Sequence, residues 1–247
     1  MIPKIIYQTW KSNDTNHSID KLKKTWVDKN PNFEYIFFDD NDIIDFIRLN
    51  FDERINKCYK RILNGSLKAD FFRYCVLYIN GGVYIDIDIS CETSLTTLFN
   101  FDEIKLITST DNCRVHRSDR IYQGFLGGEE NCKVFKMIID HICSSIENGK
   151  FKNNIFDLSG PVIFSKILKE FMNIGINENK QKCIFLKEQT FINPTTNDKF
   201  IITTHDISKE KLQFQNKIFA VAQNKFDRQN NPHYLKNRAV FKQGFYI

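Results

Sequence analysis

The segment at residues 68–90 reads KADFFRYCVLYINGGVYIDIDIS and gives the clearest evidence of the fold. Its apolar residues recur at helical spacing as far as Asn80, where two glycines interrupt the pattern. A short apolar run follows and ends at Asp86 and Asp88. This order predicts a helix, a sharp break at the glycines, and a buried strand whose end carries two carboxylates.

Asp86 and Asp88 are spaced i,i+2, so on a strand their side chains point to the same face. Two rises of ~3.3 Å separate their Cβ atoms by about 6–7 Å. At an effective dielectric constant near 20, two carboxylates at this distance repel each other by roughly 2–3 kcal/mol. A fold gains no stability from this repulsion, so the pair indicates a hard divalent cation bound through oxygen. Two solvated acids in a loop, one of them a helix cap, are the alternative.

Asp70 and Arg73 lie i,i+3 in the predicted helix and therefore share one helix face. One interpretation is an exposed ion pair, which stabilises by only about a few tenths of a kcal/mol. The other is that both project over the sheet toward a ligand, with Arg73 as a fixed cation. Gly81 and Gly82 either end the helix through a left-handed residue or allow the backbone to approach a phosphate closely.

The chain before this segment alternates predicted strands with predicted helices. Residues 4–9 and 33–38 are apolar runs typical of strands, and a helical pattern follows each, the second beginning at Asp39 and Asp40 as turn and cap. Such alternation predicts an α/β fold with a Rossmann-like, mostly parallel central sheet flanked by helices. Ligands of these sheets bind beyond the carboxyl ends of the strands, where Asp86 and Asp88 fall.

Further along, strands are predicted at residues 104–108 and 123–126, and a long helix from about residue 133 to 146. Ser159 is placed to cap another helix, which has Pro161 in its first turn. Short strands are predicted at residues 182–186, 199–203 and 217–221. A polar loop that is either a flap over a ligand or a solvated surface loop contains Arg114, His116, Arg117 and Arg120.

The composition limits the classes of function. Of the 247 residues, 42% are hydrophobic and 14% aromatic, which suffices for a packed core and argues against disorder. The net charge of +5 is spread along the chain, so no nucleic-acid partner is expected. Seven cysteines without a CxxC pair favour a reducing compartment. Because no apolar run approaches ~20 residues, we expect a soluble, cytoplasmic protein without a membrane span.

Residues 68–90 resemble the DXD-containing region of glycosyltransferase family 32, and their Asp, Arg and DxD spacing is also similar to that of the large clostridial glucosylating toxins. Residues 2–10, IPKIIYQTW, resemble the first strand of the family, which normally reads close to Ile-Pro-Lys-Ile-Ile-His-Gln-Trp. Ser159, Gly160 and Pro161 resemble its later Thr/Ser-Gly-Pro element. These motifs extend over the N-terminal two thirds of the chain.

The resemblance implies a GT-A fold in one domain, residues 1–247, with a nucleotide-sugar half at about 1–110 and an acceptor half at about 111–247. It implies retaining, metal-dependent transfer of a hexose or N-acetylhexosamine from a UDP- or GDP-sugar to a glycan or glycoprotein acceptor. The implied cofactor is Mn²⁺ or Mg²⁺, bound directly by Asp88, with Asp86 reaching the metal and the donor's ribose. The implied nucleotide-sugar ligands are Gln8, Thr9, Trp10, Asp70, Arg73, Gly82, Tyr84 and Asp86. The implied catalytic residues are Asp86, Asp88 and Arg73.

The sequence departs from the family pattern in two places. Tyr7 stands where the family usually has His. Family members commonly end with a His and a Ser-Trp pair that close on the diphosphate, whereas both tryptophans here, Trp10 and Trp26, are N-terminal. Trp10 lies near the nucleotide base by the resemblance, or is simply a core aromatic residue. Candidates for the missing C-terminal ligand are Gln223, Asn224 and His233, while His205 is more typical of a strand end.

Two other functions are compatible with a DxD motif. A phosphohydrolase of the haloacid dehalogenase type uses the first Asp as nucleophile, but it expects the motif near the N-terminus and a later GDxxxD loop, and this sequence has neither. A catalytically degenerate homologue would bind a nucleotide or glycan without turnover. For a transferase, no carboxylate can be nominated as nucleophile, which favours attack on the same face of the sugar as the departing phosphate.

Overall fold

The computed structural model describes residues 1–111, 120–149, 158–172, 189–192, 198–206, 211–215 and 217–222. Its strands are β1 (Ile5–Thr9), β2 (Glu34–Phe38), β3 (Gly82–Ile85), β4 (Ile89–Cys91), β5 (Ile104–Asp111), β6 (Ile121–Gly128), β7 (Gln189–Ile192), β8 (Lys199–Asp206), β9 (Lys211–Phe214) and β10 (Lys217–Ala222). Its helices are α1 (His17–Lys29), α2 (Asp40–Asn50), α3 (Glu53–Arg61), α4 (Gly65–Asn80), α5 (Lys133–Glu147) and α6 (Pro161–Phe171).

Helix α4 begins and ends where its local sequence requires. The side chain of Asn64 caps its N-terminus, and the N–H of Gly81 donates to the carbonyl of Leu77 (3.1 Å) at the other end. Gly81 has φ +63, in the region that residues with a Cβ avoid. The glycines therefore end the helix, as one of the two interpretations predicted.

Helix α2 begins with the predicted acidic cap. The carboxylate of Asp39 accepts hydrogen bonds from the N–H groups of Asn41 and Asp42. The carboxylate of Asp42 in turn accepts one from the N–H of Asp39. This reciprocal capping box satisfies backbone donors that the first helical turn leaves free. The cap places Asp39 directly after the carboxyl end of β2.

The strands form one sheet in the order β2-β1-β3-β6-β5-β8-β9-β10-β4, with β7 paired to β8. β1 is parallel to β2 and β3, and β5 is parallel to β8, whereas the other pairs are antiparallel. The predicted α/β fold and its parallel N-terminal strands are confirmed, and the sheet as a whole is mixed. Parallel strands need a crossover connection. The helical crossovers that the sequence predicts lie in the first part of the chain, where β1 is parallel to β2 and β3.

Apolar side chains pack on both faces of the sheet. One core lies between the sheet and helices α2 to α6, where the ring of Tyr74 stacks on that of Phe164 with centroids 5.6 Å apart. The other includes Trp26 from α1, which is fully buried and donates from its indole N–H to the carbonyl of Ile89 (2.7 Å). Because Ile89 follows Asp88 directly, α1 fixes the backbone just beyond the DxD motif.

The register brings several strand ends to one edge of the sheet. The carboxyl ends of β1, β2 and β3 lie there, together with the start of β6 and the end of β5. At the same edge Ala222, the last residue of β10, pairs with Ile89. We call this edge the rim. Among the helices that the structure describes, none has the length and apolar character needed to cross a bilayer.

Candidate active site

The turn between β3 and β4 carries the DxD acids at the rim. The N–H of Ile89 donates to the carbonyl of Asp86 (3.2 Å), and both Asp86 and Asp88 are half-buried. The prediction that the two acids share one face of a strand is therefore wrong. The reason is topological: β3 lies inside the sheet beside β1, whereas β4 forms the far edge, so the chain must leave the strand here.

The backbone of Asp86 is held from two neighbouring strands. Its N–H donates to the carbonyl of Gly124 in β6 (2.9 Å), and its carbonyl accepts from the side-chain amide of Gln8 in β1 (3.1 Å). The Tyr35 hydroxyl donates to the other end of the Gln8 amide (2.8 Å). Gln8 is fully buried, so in this structure it positions the turn.

A buried cluster of charges joins α4 to the turn. One guanidinium nitrogen of Arg73 lies 3.0 Å from Oδ1 of Asp70 and 3.0 Å from Oδ1 of Asp86. The other donates to the carbonyl of Gln123 (2.7 Å), and the group lies over the ring of Tyr84, 4.9 Å from its centroid. Arg73 is only 5% exposed, so the exposed ion pair is excluded, and Arg73 is a fixed cation beneath the rim.

Burial makes the charges of this cluster unfavourable unless they are paired. Burial raises the pKa of Asp70, while Arg73 and the hydroxyl of Ser159 act in the opposite direction. Burial also opposes the charge of Arg73, but Asp86 and Asp70 raise its pKa well above the usual value. Removing one partner of such a buried pair typically costs about 3–5 kcal/mol, because the remaining charge stays buried. When ionised, the two carboxylates outnumber the single guanidinium, so the cluster keeps a negative charge.

The acids of the turn match the chemistry of a divalent cation. In the described part of the chain, no group of three or more His, Cys, Asp or Glu side chains could hold a metal by itself. Asp86 and Asp88 nevertheless offer the oxygen ligands that Mg²⁺ and Mn²⁺ prefer. Oδ1 of Asp86 accepts from Arg73, and Oδ2 lies 2.7 Å from the position that a Cβ at Gly124 would occupy. The two acids therefore fit a divalent ion that takes its remaining ligands from outside the protein.

Ser159 joins this cluster from a distant part of the chain. Its hydroxyl donates to Oδ2 of Asp70 (2.8 Å), and its carbonyl accepts from the hydroxyl of Tyr74 (3.0 Å) and from the amide of Gln123. The prediction that Ser159 caps a helix is wrong, because Gly160 is the N-cap of α6 and, within the described residues, no side chain caps it. The Ser-Gly-Pro element was the only sequence signal for Ser159; Gln123 and Tyr74 had none.

The other predicted ligands of β1 and β3 occupy different positions. Thr9 and Trp10 lie at the carboxyl end of β1, at the rim, with Thr9 buried and Trp10 half-buried. Tyr84 is buried beneath Arg73. Gly82 lies at the opposite end of β3 from the turn, with φ +96, and a Cβ there would sit 2.8 Å from the ring of Tyr7. The structure therefore gives Gly82 a packing role against β1 and does not bring it to the rim.

The remaining candidates belong to the basic loop and to the C-terminal part of the chain. Arg120 precedes β6 and is half-buried, and His205 is in β8. The remaining basic loop residues and the possible C-terminal ligands lie outside the described residues: Arg114, His116, Arg117, Gln223, Asn224 and His233.

Comparison with known proteins identifies a family match within the N-terminal part of the chain. Residues 16–106 match the sequence model of the glycosyltransferase sugar-binding region containing the DXD motif. Inositol phosphoceramide mannosyltransferase 3 of Schizosaccharomyces pombe is 33% identical over 100 residues, which are 40% of this chain and 28% of that protein. An uncharacterized glycosyltransferase of Acanthamoeba polyphaga mimivirus is 26% identical over 207 residues, covering 81% of this chain and 76% of its own. The resemblance to DXD glycosyltransferases is confirmed for this region.

The fold is also found in a solved structure. The PaToxG glycosyltransferase aligns with 68% of this chain and 69% of its own, with a TM-score of 0.55 and 17% sequence identity. A likeness at this identity concerns the fold alone, and it confirms the expected GT-A type of architecture.

Proposed function

We propose that this protein transfers a hexose or N-acetylhexosamine from a UDP- or GDP-linked donor to a hydroxyl of a glycan or glycoprotein acceptor. The observation that carries the proposal is the buried cluster of Asp70, Arg73 and Asp86, which opens at the DxD turn within the segment that matches the DXD family. The named activity of the fission yeast relative makes a mannosyl donor the first to test.

Each residue of the cluster has a role in this proposal. Asp88, together with Asp86, would hold Mn²⁺ or Mg²⁺, and the ion would supply positive charge to offset the negative charge of the departing nucleoside diphosphate. Asp70 and Arg73 contact the transferred sugar. Trp10, half-buried at the end of β1, lies against the nucleotide base. Because Arg73 is buried, water does not compete for its contacts with Asp70 and Asp86.

The transfer proceeds on one face of the sugar. Asp70 and Asp86 each have an oxygen in contact with Arg73 at 3.0 Å, which lowers their capacity to act as nucleophiles. We therefore propose that the acceptor hydroxyl attacks the anomeric carbon from the side of the leaving phosphate, which takes the hydroxyl proton. A glycosyl adduct on the enzyme, detected by mass spectrometry after mixing with donor alone, would refute this route.

The experiment measures binding of UDP and GDP with and without Mn²⁺, by calorimetry and thermal shift, followed by hydrolysis of GDP-mannose and a panel of UDP-sugars. Asp88→Ala is expected to abolish the Mn²⁺-dependent part of binding while the protein remains folded. Asp45→Ala, which removes an exposed acid paired only with Arg48 in the described structure, is the matched control. Full nucleotide affinity in D88A would overturn the metal site.

Two other outcomes distinguish the alternatives. Mn²⁺-dependent binding of nucleotide without hydrolysis or transfer of any donor sugar indicates a degenerate homologue. Hydrolysis of p-nitrophenyl phosphate without nucleotide binding indicates a phosphohydrolase.

A further inference from the structure

The carboxylate of Asp70 is held by the protein on two sides and open on a third. Its Oδ1 lies 3.0 Å from Arg73, and its Oδ2 accepts from the hydroxyl of Ser159 at 2.8 Å. The side chain is still 19% exposed. An ionised carboxylate has about four acceptor sites, so it retains sites for further donors, and sugar hydroxyls are donors of this kind.

Ser159 is itself fixed from three elements. It is fully buried, and its carbonyl accepts hydrogen bonds from Tyr74 in α4 and Gln123 in β6, while the chain enters α6 directly after it. The ring of Tyr74 is stacked on Phe164 of α6. Ser159 therefore has little freedom to turn, and its hydroxyl presents one defined direction to Asp70.

The hydroxyl of Ser159 binds Asp70 and does not cap the helix that follows it. Serine before a proline-initiated helix commonly caps that helix. Here the helix starts from Gly160, and in the described structure it has no side-chain cap. The chain thus forgoes a stabilising cap while the hydroxyl binds a carboxylate 89 positions away in the sequence.

Asp70 and Asp86 both lie 3.0 Å from the same nitrogen of Arg73. The other terminal nitrogen of Arg73 donates to the carbonyl of Gln123 (2.7 Å), so the guanidinium stays beside Asp86 when the carboxylate of Asp70 turns. The Nε of Arg73 has no hydrogen-bond partner among the described residues, so the guanidinium is oriented through its terminal nitrogens.

We propose that Ser159 is a positioning residue for sugar transfer: its hydroxyl fixes the Asp70 carboxylate so that the open acceptor sites face the hydroxyls of the donor sugar. This inference rests on the proposed function. Under this inference Ser159 acts on recognition of the sugar. It does not act on binding of the nucleotide or the metal, because Ser159 contacts Asp70 and not the DxD turn.

The test compares Ser159→Ala with Ser165→Ala. Both changes remove one hydroxyl from the α6 region, and Ser165 is also buried, but its hydroxyl has no hydrogen-bond partner within the described structure. For each variant we measure the unfolding midpoint, the Kd of GDP and UDP with Mn²⁺, and kcat and KM for the nucleotide sugar that the unmodified protein hydrolyses fastest. If S159A is too unstable to assay, S159C, whose thiol is only a weak donor, replaces it.

We expect S159A to bind nucleotide with Mn²⁺ as the unmodified protein does, and to lose about ten-fold or more in kcat/KM for the nucleotide sugar, the scale of a hydrogen bond to a charged group. S165A is expected to keep both. Unchanged kcat/KM in S159A, or an equal loss of nucleotide and nucleotide-sugar binding, would overturn the inference while leaving the proposed function standing. If the unmodified protein itself neither binds nucleotide nor turns over any sugar donor, the proposed function fails instead.

Discussion

Gly124 leaves no room for a side chain beside the DxD turn. A methyl group at this position in β6 would lie 2.5 Å from the hydroxyl oxygen of Tyr122 and 2.7 Å from Oδ2 of Asp86. Both distances are far shorter than a van der Waals contact, so the substitution Gly124→Ala must displace these atoms. The perturbation is a single methyl group, and it acts directly on the carboxylate proposed to bind metal.

The size of the displacement follows from these distances. To reach an ordinary contact of 3.4 Å, Oδ2 of Asp86 must move by about 0.7 Å from its position at 2.7 Å. Because Tyr122 and Asp86 meet the methyl group with the ends of their side chains, the fold can adapt, at roughly 1–3 kcal/mol. A functional group misplaced by ~1 Å can cost about 100-fold in activity. We therefore expect a modest loss of stability and a loss of Mn²⁺-dependent nucleotide affinity of about 10- to 100-fold.

The assay pairs G124A with Gly127→Ala in the same strand. A methyl group at Gly127 would meet its nearest atom, the carbonyl oxygen of Gly82, at 3.4 Å, which is an ordinary contact. Calorimetry of UDP and GDP binding with Mn²⁺ and thermal unfolding are measured for both variants. We expect G127A to bind nucleotide as the unmodified protein does.

Two results would contradict this prediction. If G124A binds nucleotide with full Mn²⁺ dependence, the position of Asp86 does not matter for the metal. If G127A loses as much affinity as G124A, the effect belongs to the strand and not to the contact with Asp86.

Three further changes test the stability of the fold. Gly82→Ala forces φ +96 on a residue with a Cβ, 2.8 Å from the ring of Tyr7, so the thermal midpoint should fall by several degrees; an unchanged midpoint contradicts the packing role. Trp26→Phe leaves the buried carbonyl of Ile89 without its 2.7 Å partner and should lower the free energy of unfolding in urea by at least about 1–3 kcal/mol; a smaller loss contradicts the anchoring of the turn. Burial and, secondarily, Lys166 lower the pKa of His141 below its ordinary 6.5, so the unfolded state binds more protons and stability falls as pH drops through this window. His141→Gln should flatten this part of the stability profile between pH 7 and 5; an unaltered slope assigns it to other groups.

The sequence predicted the elements around the site with few errors. Helix α4 and its glycine end follow from local periodicity and from the backbone freedom of Gly81. The i,i+3 spacing placed Asp70 and Arg73 on one helix face. In the structure a guanidinium nitrogen of Arg73 lies 3.0 Å from Oδ1 of Asp70. These features depend on residues only a few positions apart, so the local sequence contains the information needed to predict them.

The errors concern contacts between distant parts of the chain. The local pattern suggested that the strand continues through Asp88, but the position of β4 at the far edge of the sheet turns the chain after Ile85. Local rules likewise made Ser159 a helix cap, whereas the fold brings Asp70 within 2.8 Å of its hydroxyl. A charge-assisted hydrogen bond in a buried site is stronger than a solvent-exposed cap, so the tertiary contact prevails.

The α/β fold with two acids after a buried strand follows from local sequence, because hydrophobic periodicity and glycine conformation act over a few residues. The burial of Arg73 between Asp70 and Asp86, and the placement of Ser159 and Gly124 beside those carboxylates, become visible only in the folded chain. Burial and the pairing of distant charges depend on how the strands and helices pack, which no single stretch of sequence specifies.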